Sequence, residues 1–367
     1  MLRGILELMK DSNIALYRKY RPETFDEVMG QDHIVKTIRG ALLSGKIAHA
    51  YLLCGPRGTG KTTIARIIAS ELGTSVNDIY EMDAASNRGI NEARDIRESV
   101  RTLPFDSKYK VYILDEVHML TKEAWNALLK TIEEPPAHII FILATTELEK
   151  VPETIVSRCQ TFILRKLTET ILASGVTSIA KKEGYKIEEG GAGLIALLSE
   201  GSFRDALGTL QKVISYANSK TITLPNILEV TGSPDMSLVN DFLLALAHND
   251  IERGYKAINL ATEQNIDILI YLKMILAKLR FALMFRYAPV MKKEIKEILS
   301  ENDIVFLEEL LKEKPEHISS RALTILLESY QSQKFAVIDS LPLELALIKI
   351  LSTPARPHDS SGAGGEK

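Results

Sequence analysis

Hydrophobic positions change rhythm partway along the chain, and the change divides it. Up to about residue 167 the apolar residues stand in short runs that read as strands: Ala50–Cys54, Lys110–Leu114 (apolar from Val111) and Ile139–Leu143, with companions at Ile79–Asp83 and Thr161–Leu164. Runs of this kind belong to parallel strands buried on both faces. Helical stretches lie between them. One begins near Lys61 and carries Ile64, Ala65, Ile67 and Ile68. Another is capped by Thr121 and stopped at Pro135-Pro136, where the proline ring and the missing N–H end it. Strand and helix in alternation predict an α/β region, a parallel sheet covered on both sides. From Thr168 to about Val230 the pattern is helical, broken at Gly184, Gly190-Gly191 and Gly201. Beyond the Gly232-Ser233-Pro234 turn a leucine-rich, wholly helical region reaches Leu351, with helix-period apolar faces over Leu269–Leu283 and Ile318–Tyr330. These shifts predict domains at 1–167, 168–230 and 231–351, and a disordered Pro-, Ser- and Gly-rich tail at 352–367. No internal repeat is visible.

The chemistry sits where the first strand gives way to its helix. Gly55-Pro56-Arg57-Gly58-Thr59-Gly60-Lys61-Thr62 is a complete phosphate-binding loop, followed by Thr63. A triphosphate needs several backbone N–H groups aimed into one small cavity, and three glycines permit that wrap. Lys61 is placed to reach the β and γ phosphates, Thr62 to offer its hydroxyl to Mg²⁺, and the helix N-terminus adds its dipole. A second motif follows the strand at Lys110–Leu114: Asp115-Glu116, at the carboxyl end where open α/β sheets hold their ligands. Asp115 is a second Mg²⁺ ligand and Glu116 a group to polarise an attacking water. Two carboxylates point to hydrolysis, since holding a nucleotide needs only the metal ligand. Cys54 and Cys159 have no histidine partner in a motif and read as small packed residues.

The order of these motifs, continued by Thr145-Thr146 and then Ser157-Arg158-Cys159, resembles the clamp-loader ATPases of the AAA+ class. The wording is similar to that of the gamma/tau subunits of bacterial DNA polymerase III. It is carried by Ala15–Pro22, Phe25–Gln31, Asp83-Ala84-Ala85-Ser86, Asp115-Glu116-Val117-His118, Asn126–Pro136 and Gly201–Leu207, and covers about residues 14–215. Because it begins only at Ile14, Met9 stands as an alternative start to Met1. The resemblance implies an AAA+ ATPase domain, a small helical lid and a helical collar for oligomerisation. Lys61 and Thr62 become phosphate and metal contacts, Asp115 the metal ligand and Glu116 the catalytic base. Thr145 or Thr146 becomes the sensor of the γ-phosphate, and Arg204 the lid arginine. Arg158 becomes a finger inserted into a neighbour's site, and Arg21, Pro22 and Val28 line the adenine pocket. It further implies delta and delta-prime partners with copies of the chain itself, a sliding clamp, primer–template DNA, and a cytoplasmic, nucleoid-associated location. The acidic box runs on as Val117-His118 where archaeal replication factor C small subunits usually have Ala-Asp. The intact Gly60-Lys61-Thr62 argues against a nucleotide-free scaffold of the delta-prime kind. The competing readings are a replication factor C small-subunit-type loader and a DNA-motor ATPase such as a Holliday-junction helicase.

One departure is plain. Gamma/tau subunits usually carry a four-cysteine zinc module before the Asp-Ala-Ala-Ser segment, and residues 70–82 here hold no cysteine. Two cysteines in 367 residues exclude a four-thiolate zinc site and a disulfide framework. Met1–Lys10 is interrupted by Glu7 and makes a poor signal peptide, and no stretch of eighteen uncharged apolar residues predicts a membrane span. A net charge of −3 is unlike that of a protein that grips DNA over its whole surface. Residues 1–167 hold 23 Lys and Arg against 22 Asp and Glu, leaving 22 against 26 in the remainder. DNA contact therefore requires a local patch, for which the resemblance offers Arg88, Arg94, Arg97, Arg101 and Lys150.

Overall fold

The computed structural model describes residues 14–288, 290, 301–313 and 315–352. The expected tail disorder and the choice between Met1 and Met9 lie outside those residues, apart from Ser352, which closes the last helix. The chain divides into two compact units. One holds the residues up to Gly184 together with Ile195–Lys212; the other holds Tyr185–Leu194 and the residues from Val213 on.

The first unit is built on five parallel strands: β1 (Ala50–Cys54), β2 (Ile79–Asp83), β3 (Lys110–Asp115), β4 (Ile139–Thr145) and β5 (Gln160–Ile163). Their order across the sheet is β2-β3-β4-β1-β5. Every residue of β1 and β4 is buried, which explains the unbroken apolar runs. The twofold alternation of a strand is still present. Tyr51, Leu53, Val111, Ile113, Ile140 and Ile142 pack on one face with Ile64, Ile67 and Ile68, while Leu52, Tyr112, Leu114, Phe141 and Leu143 pack on the other with Trp125, Leu128 and Ile132. The outer strands β2 and β5 are only partly buried, so the cover expected on both sides is complete for the central strands alone.

Helices α1 (Leu16–Lys19), α2 (Asp32–Leu43), α3 (Lys61–Glu71), α4 (Ile90–Ser99), α5 (Lys122–Glu133), α6 (Glu153–Val156) and α7 (Glu169–Lys182) complete most of this unit. Helix α5 begins where expected, with the Thr121 hydroxyl accepting from Ala124 N at 3.2 Å, and ends at Glu133, two residues before Pro135. Gln31, fully buried, clamps the chain as it leaves β5: its amide donates to Arg165 O at 2.8 Å and accepts from Arg165 N at 3.2 Å.

Helices α8 (Gly191–Leu198) and α9 (Phe203–Tyr216) cross the division between the units. The second unit departs from the wholly helical expectation at one place. Lys186–Ile187 (β6) and Thr221–Ile222 (β7) form a two-residue parallel ladder, too short for a period-two signal to register in the sequence. Helices α10 (Leu224–Thr231), α11 (Met236–His248), α12 (Ile251–Glu263), α13 (Ile268–Tyr287), α14 (Glu301–Leu311), α15 (Ser320–Ser332) and α16 (Leu341–Leu351) follow. Gly232 ends α10 in the left-handed conformation, at the turn expected there. Gly254 lets α12 approach α16 closely, since a Cβ there would lie 2.6 Å from Leu347 Cδ2.

Candidate nucleotide-binding site

The phosphate-loop segment is pinned at its root. Leu164 N donates to Cys54 O at 2.7 Å and Gly55 N to Thr145 O at 3.1 Å, so the chain leaves β1 held between β5 and β4. Gly58 (φ +75°) and Gly60 (φ +104°) are left-handed, and a Cβ on Gly58 would collide with Ser202 Oγ at 1.9 Å. Only glycine serves at these two points. The backbone N–H groups of the turn then open onto the N-terminus of α3, an arrangement suited to phosphate oxygens. Lys61 is buried, and its ammonium donates to Gly55 O at 2.8 Å and Pro56 O at 3.1 Å. Burial pushes it below its ordinary pKa, while Glu116 and Asp115 act in the opposite sense.

The acidic pair stands beside the loop. Thr62 Oγ1 donates to Asp115 Oδ2 at 2.5 Å, so a hydroxyl and a carboxylate oxygen meet where hard oxygen donors for Mg²⁺ are required. Asp115 Oδ1 accepts from Glu116 N at 2.9 Å. Glu116 adopts φ +50°, a left-handed backbone uncommon for a side chain of this size. Its Oε2 accepts from Thr146 Oγ1 at 3.2 Å and lies 3.4 Å from His118 Nδ1. The buried His118 ring reaches Glu147 Oε1 with Nε2 at 3.2 Å, and Glu147 pairs with Lys150 at 2.7 Å.

The two threonines, equivalent in the sequence, are separated by the structure. Thr145 is fully buried and spends its hydroxyl on the Glu147 backbone and His118, whereas Thr146 faces Glu116. His118 was legible only as a letter of the acidic box. That it contacts the carboxylate two residues earlier follows from the turn Val117–Met119, which sequence periodicity does not reveal.

A cleft joins these groups to the N-terminal segment. Its walls are Tyr17, Tyr20, Arg21, Pro22, Val28 and Met29, the loop residues Arg57–Thr63, Asp115 and Glu116, and Leu167, Phe203, Arg204 and Leu207. Arg21, Pro22, Val28 and Arg204 line this cleft together with the loop, and Tyr17, Tyr20 and Phe203 add aromatic surface that sequence reasoning missed. Burial, then the nearby Arg66 and Arg204, push the Arg21 guanidinium below its ordinary pKa. Arg204 lies over the Tyr17 ring, 5.8 Å from its centre.

Other sequence candidates stand apart from this cleft. Arg158 follows α6, with its guanidinium on Glu133 at 2.5 Å and on Thr154 O at 2.7 Å. Arg88, Arg94, Arg97, Arg101 and Lys150 are all exposed: Arg94 and Arg97 on α4, Arg88 in the loop before it, Arg101 in the turn after it, and Lys150 at the end of a short 3-10 helix, Leu148–Lys150.

The family model described as DNA polymerase III, delta subunit, matches residues 73–168. DNA polymerase III subunit tau of Bacillus subtilis is 36% identical over 92% of this chain and 63% of its own length. DNA polymerase III subunit gamma of Buchnera aphidicola subsp. Schizaphis graminum is 40% identical over 62% of this chain and 69% of its own length. Among solved structures, the RuvB Holliday junction branch migration motor of Thermotoga maritima superposes with a TM-score of 0.50 at 26% identity, over 64% of this chain and 80% of that one. The fold is that of the AAA+ class. The chain spans less than two thirds of the Bacillus protein and 42% of the gamma/tau subunit of Mycoplasma pneumoniae. Loop, acidic pair and cleft, together with 40% identity across 69% of a gamma subunit, establish that the chain belongs to the DNA polymerase III subunit gamma/tau family.

Proposed function

We propose that the chain is an ATP-hydrolysing clamp-loader subunit that places a ring-shaped sliding clamp on primer–template DNA. The observation that carries this reading is the 2.5 Å approach of Thr62 to Asp115 beside Glu116, in a chain of the gamma/tau family. The loop N–H groups and Lys61 bind the triphosphate, and Arg21, Pro22 and Val28 border the adenine. Thr62 and Asp115 would hold Mg²⁺, which when bound neutralises phosphate charge. Glu116, held by Thr146, accepts a proton from the attacking water as its oxygen bonds to the γ-phosphorus and the β–γ bridge breaks, leaving ADP and phosphate. Thr146 suits a γ-phosphate sensor better than Thr145, whose hydroxyl is already committed to Glu147 and His118. Arg204 acts from the lid.

Arg158 serves a neighbouring subunit, because its guanidinium lies on Glu133 and outside the chain's own cleft. Residues 168–230 act as the lid and 231–351 as the collar. The partners are delta-type and delta-prime-type subunits with further copies of the chain, in the cytoplasm beside the nucleoid. Arg88, Arg94, Arg97, Arg101 and Lys150 are the candidates for DNA contact. No helix of the described residues is long and apolar enough to cross a membrane.

Native mass spectrometry with the cognate clamp, a delta-type subunit and a non-hydrolysable ATP analogue tests the reading. A nucleotide-dependent complex supports the loader; association with duplex DNA alone, without clamp or delta subunit, favours a motor.

A further inference from the structure

A second cavity of about 490 Å³ adjoins the nucleotide cleft, and its lining is strongly basic. Arg18, Arg21, Arg57, Arg204 and Lys212 face it, and Asp205 is the one carboxylate among its lining residues. The formal balance is five cations against one anion, a net of +4. None of the five forms an ion pair with another described residue. Arg18 and Arg204 lie instead over the Tyr17 ring, each 5.8 Å from its centre. Elsewhere in the same unit arginines find carboxylates: Arg66 on Glu81 at 2.7 Å and Arg39 on Asp26 at 2.8 Å. Five cations gathered at one concavity with a single carboxylate among them repel one another, and an anion there relieves the repulsion.

A nucleotide in the cleft does not account for this charge. Arg21, Arg57 and Arg204 border both cavities, but Arg18 and Lys212 border only the second. Lys212 stands two turns beyond Arg204 on α9, on the rim also formed by Gly208 and Thr209. Gly208 has no heavy atom within 4 Å of where a Cβ would lie, so this wall is open to a ligand. Two phosphoryl groups carry roughly −3 to −4 together near neutral pH, and they would meet Arg18 and Lys212 together with the three arginines that the cavity shares with the cleft.

We infer that this cavity binds a diphosphate-class anion at the same time as the cleft holds its nucleotide. The source is either inorganic pyrophosphate or the diphosphate end of a second nucleotide. The shared arginines couple the two sites, so binding of one anion changes affinity for the other.

The test is calorimetric titration of pyrophosphate, and separately of a further equivalent of ADP, into the full chain saturated with Mg²⁺-ADP. One additional saturable site is expected. The Arg18→Glu/Lys212→Glu double variant should lose about tenfold or more in affinity at that site, the scale of one charge-assisted hydrogen bond, while retaining ADP in the cleft. Retained ADP binding also shows that the variant is folded. Saturation by pyrophosphate alone names the free anion as the source, and saturation by ADP with pyrophosphate as competitor names the nucleotide. The inference is overturned by absence of a second saturable event, by displacement of bound ADP mole for mole, or by equal affinity in the double variant. It is overturned too if the variant loses affinity for a primed duplex but not for pyrophosphate, which would make the cavity a nucleic-acid contact.

Discussion

In the proposed reaction Lys61 and Glu116 divide the work of the cleft, so their substitution should separate binding from turnover. Lys61→Ala removes a buried cation aimed at the phosphates, and calorimetric affinity for ATP should fall by at least about tenfold, with unchanged affinity removing the lysine from the site. Glu116→Gln keeps the carboxamide oxygen that Thr146 reaches but loses the base. Binding should persist while steady-state hydrolysis drops by about 10²–10⁴-fold. Near-normal turnover would take Glu116 out of the mechanism. The cysteines give a further check at this scale. Burial pushes the Cys159 thiol up to about 11 and raises that of Cys54 as well. The thiolate is the reactive form, so raising the pKa depletes it near neutral pH. Both should resist alkylation in the folded protein and react fully once it is unfolded, as intact-mass measurement would record; rapid native labelling of either would contradict that burial.

At the scale of elements, the sequence was legible where packing and local chemistry agree. The span of β1 and the start of α5 follow directly from an unbroken apolar run and a threonine cap. Thr121→Ala should cost about 1 kcal/mol of stability, read from denaturant unfolding, because Ala124 N loses its acceptor. No change would mean that the cap is redundant. The sequence was silent where structure depends on contacts between distant segments. The two-residue ladder of β6 and β7 joins residues more than thirty positions apart, and no local pattern announces it. The aromatic wall of the cleft comes from Tyr17 and Tyr20 together with Phe203, more than 180 positions on, which only the fold brings to them. The loop glycines and the acidic pair were legible because each is a short motif whose geometry is set locally. The different surroundings of Thr145 and Thr146 were not, since they turn on which side the chain faces as it leaves β4.

At the scale of the whole molecule, the account rests on an ATP site completed by a neighbour. Arg158→Ala should leave each subunit's ATP affinity nearly unchanged while cutting hydrolysis in the assembly by about 10³-fold or more, the usual scale of an arginine finger. Mixing it with Lys61→Ala subunits should restore part of the activity. A dilute monomer that hydrolyses ATP as fast as the assembly would instead place the arginine's action within its own chain. The central claim, that ATP turnover on this chain drives clamp loading, is tested most directly by counting labelled clamps retained on primed circular DNA. The unaltered chain or its Glu116→Gln variant is combined with delta-type and delta-prime-type subunits, and both assemblies are given ATP. The account predicts closed clamps that survive gel filtration with ATP and the unaltered chain. With Glu116→Gln it predicts clamps held open in a stalled complex and few released onto the circle. Equal numbers of closed clamps in both, or none with the active chain, would contradict it.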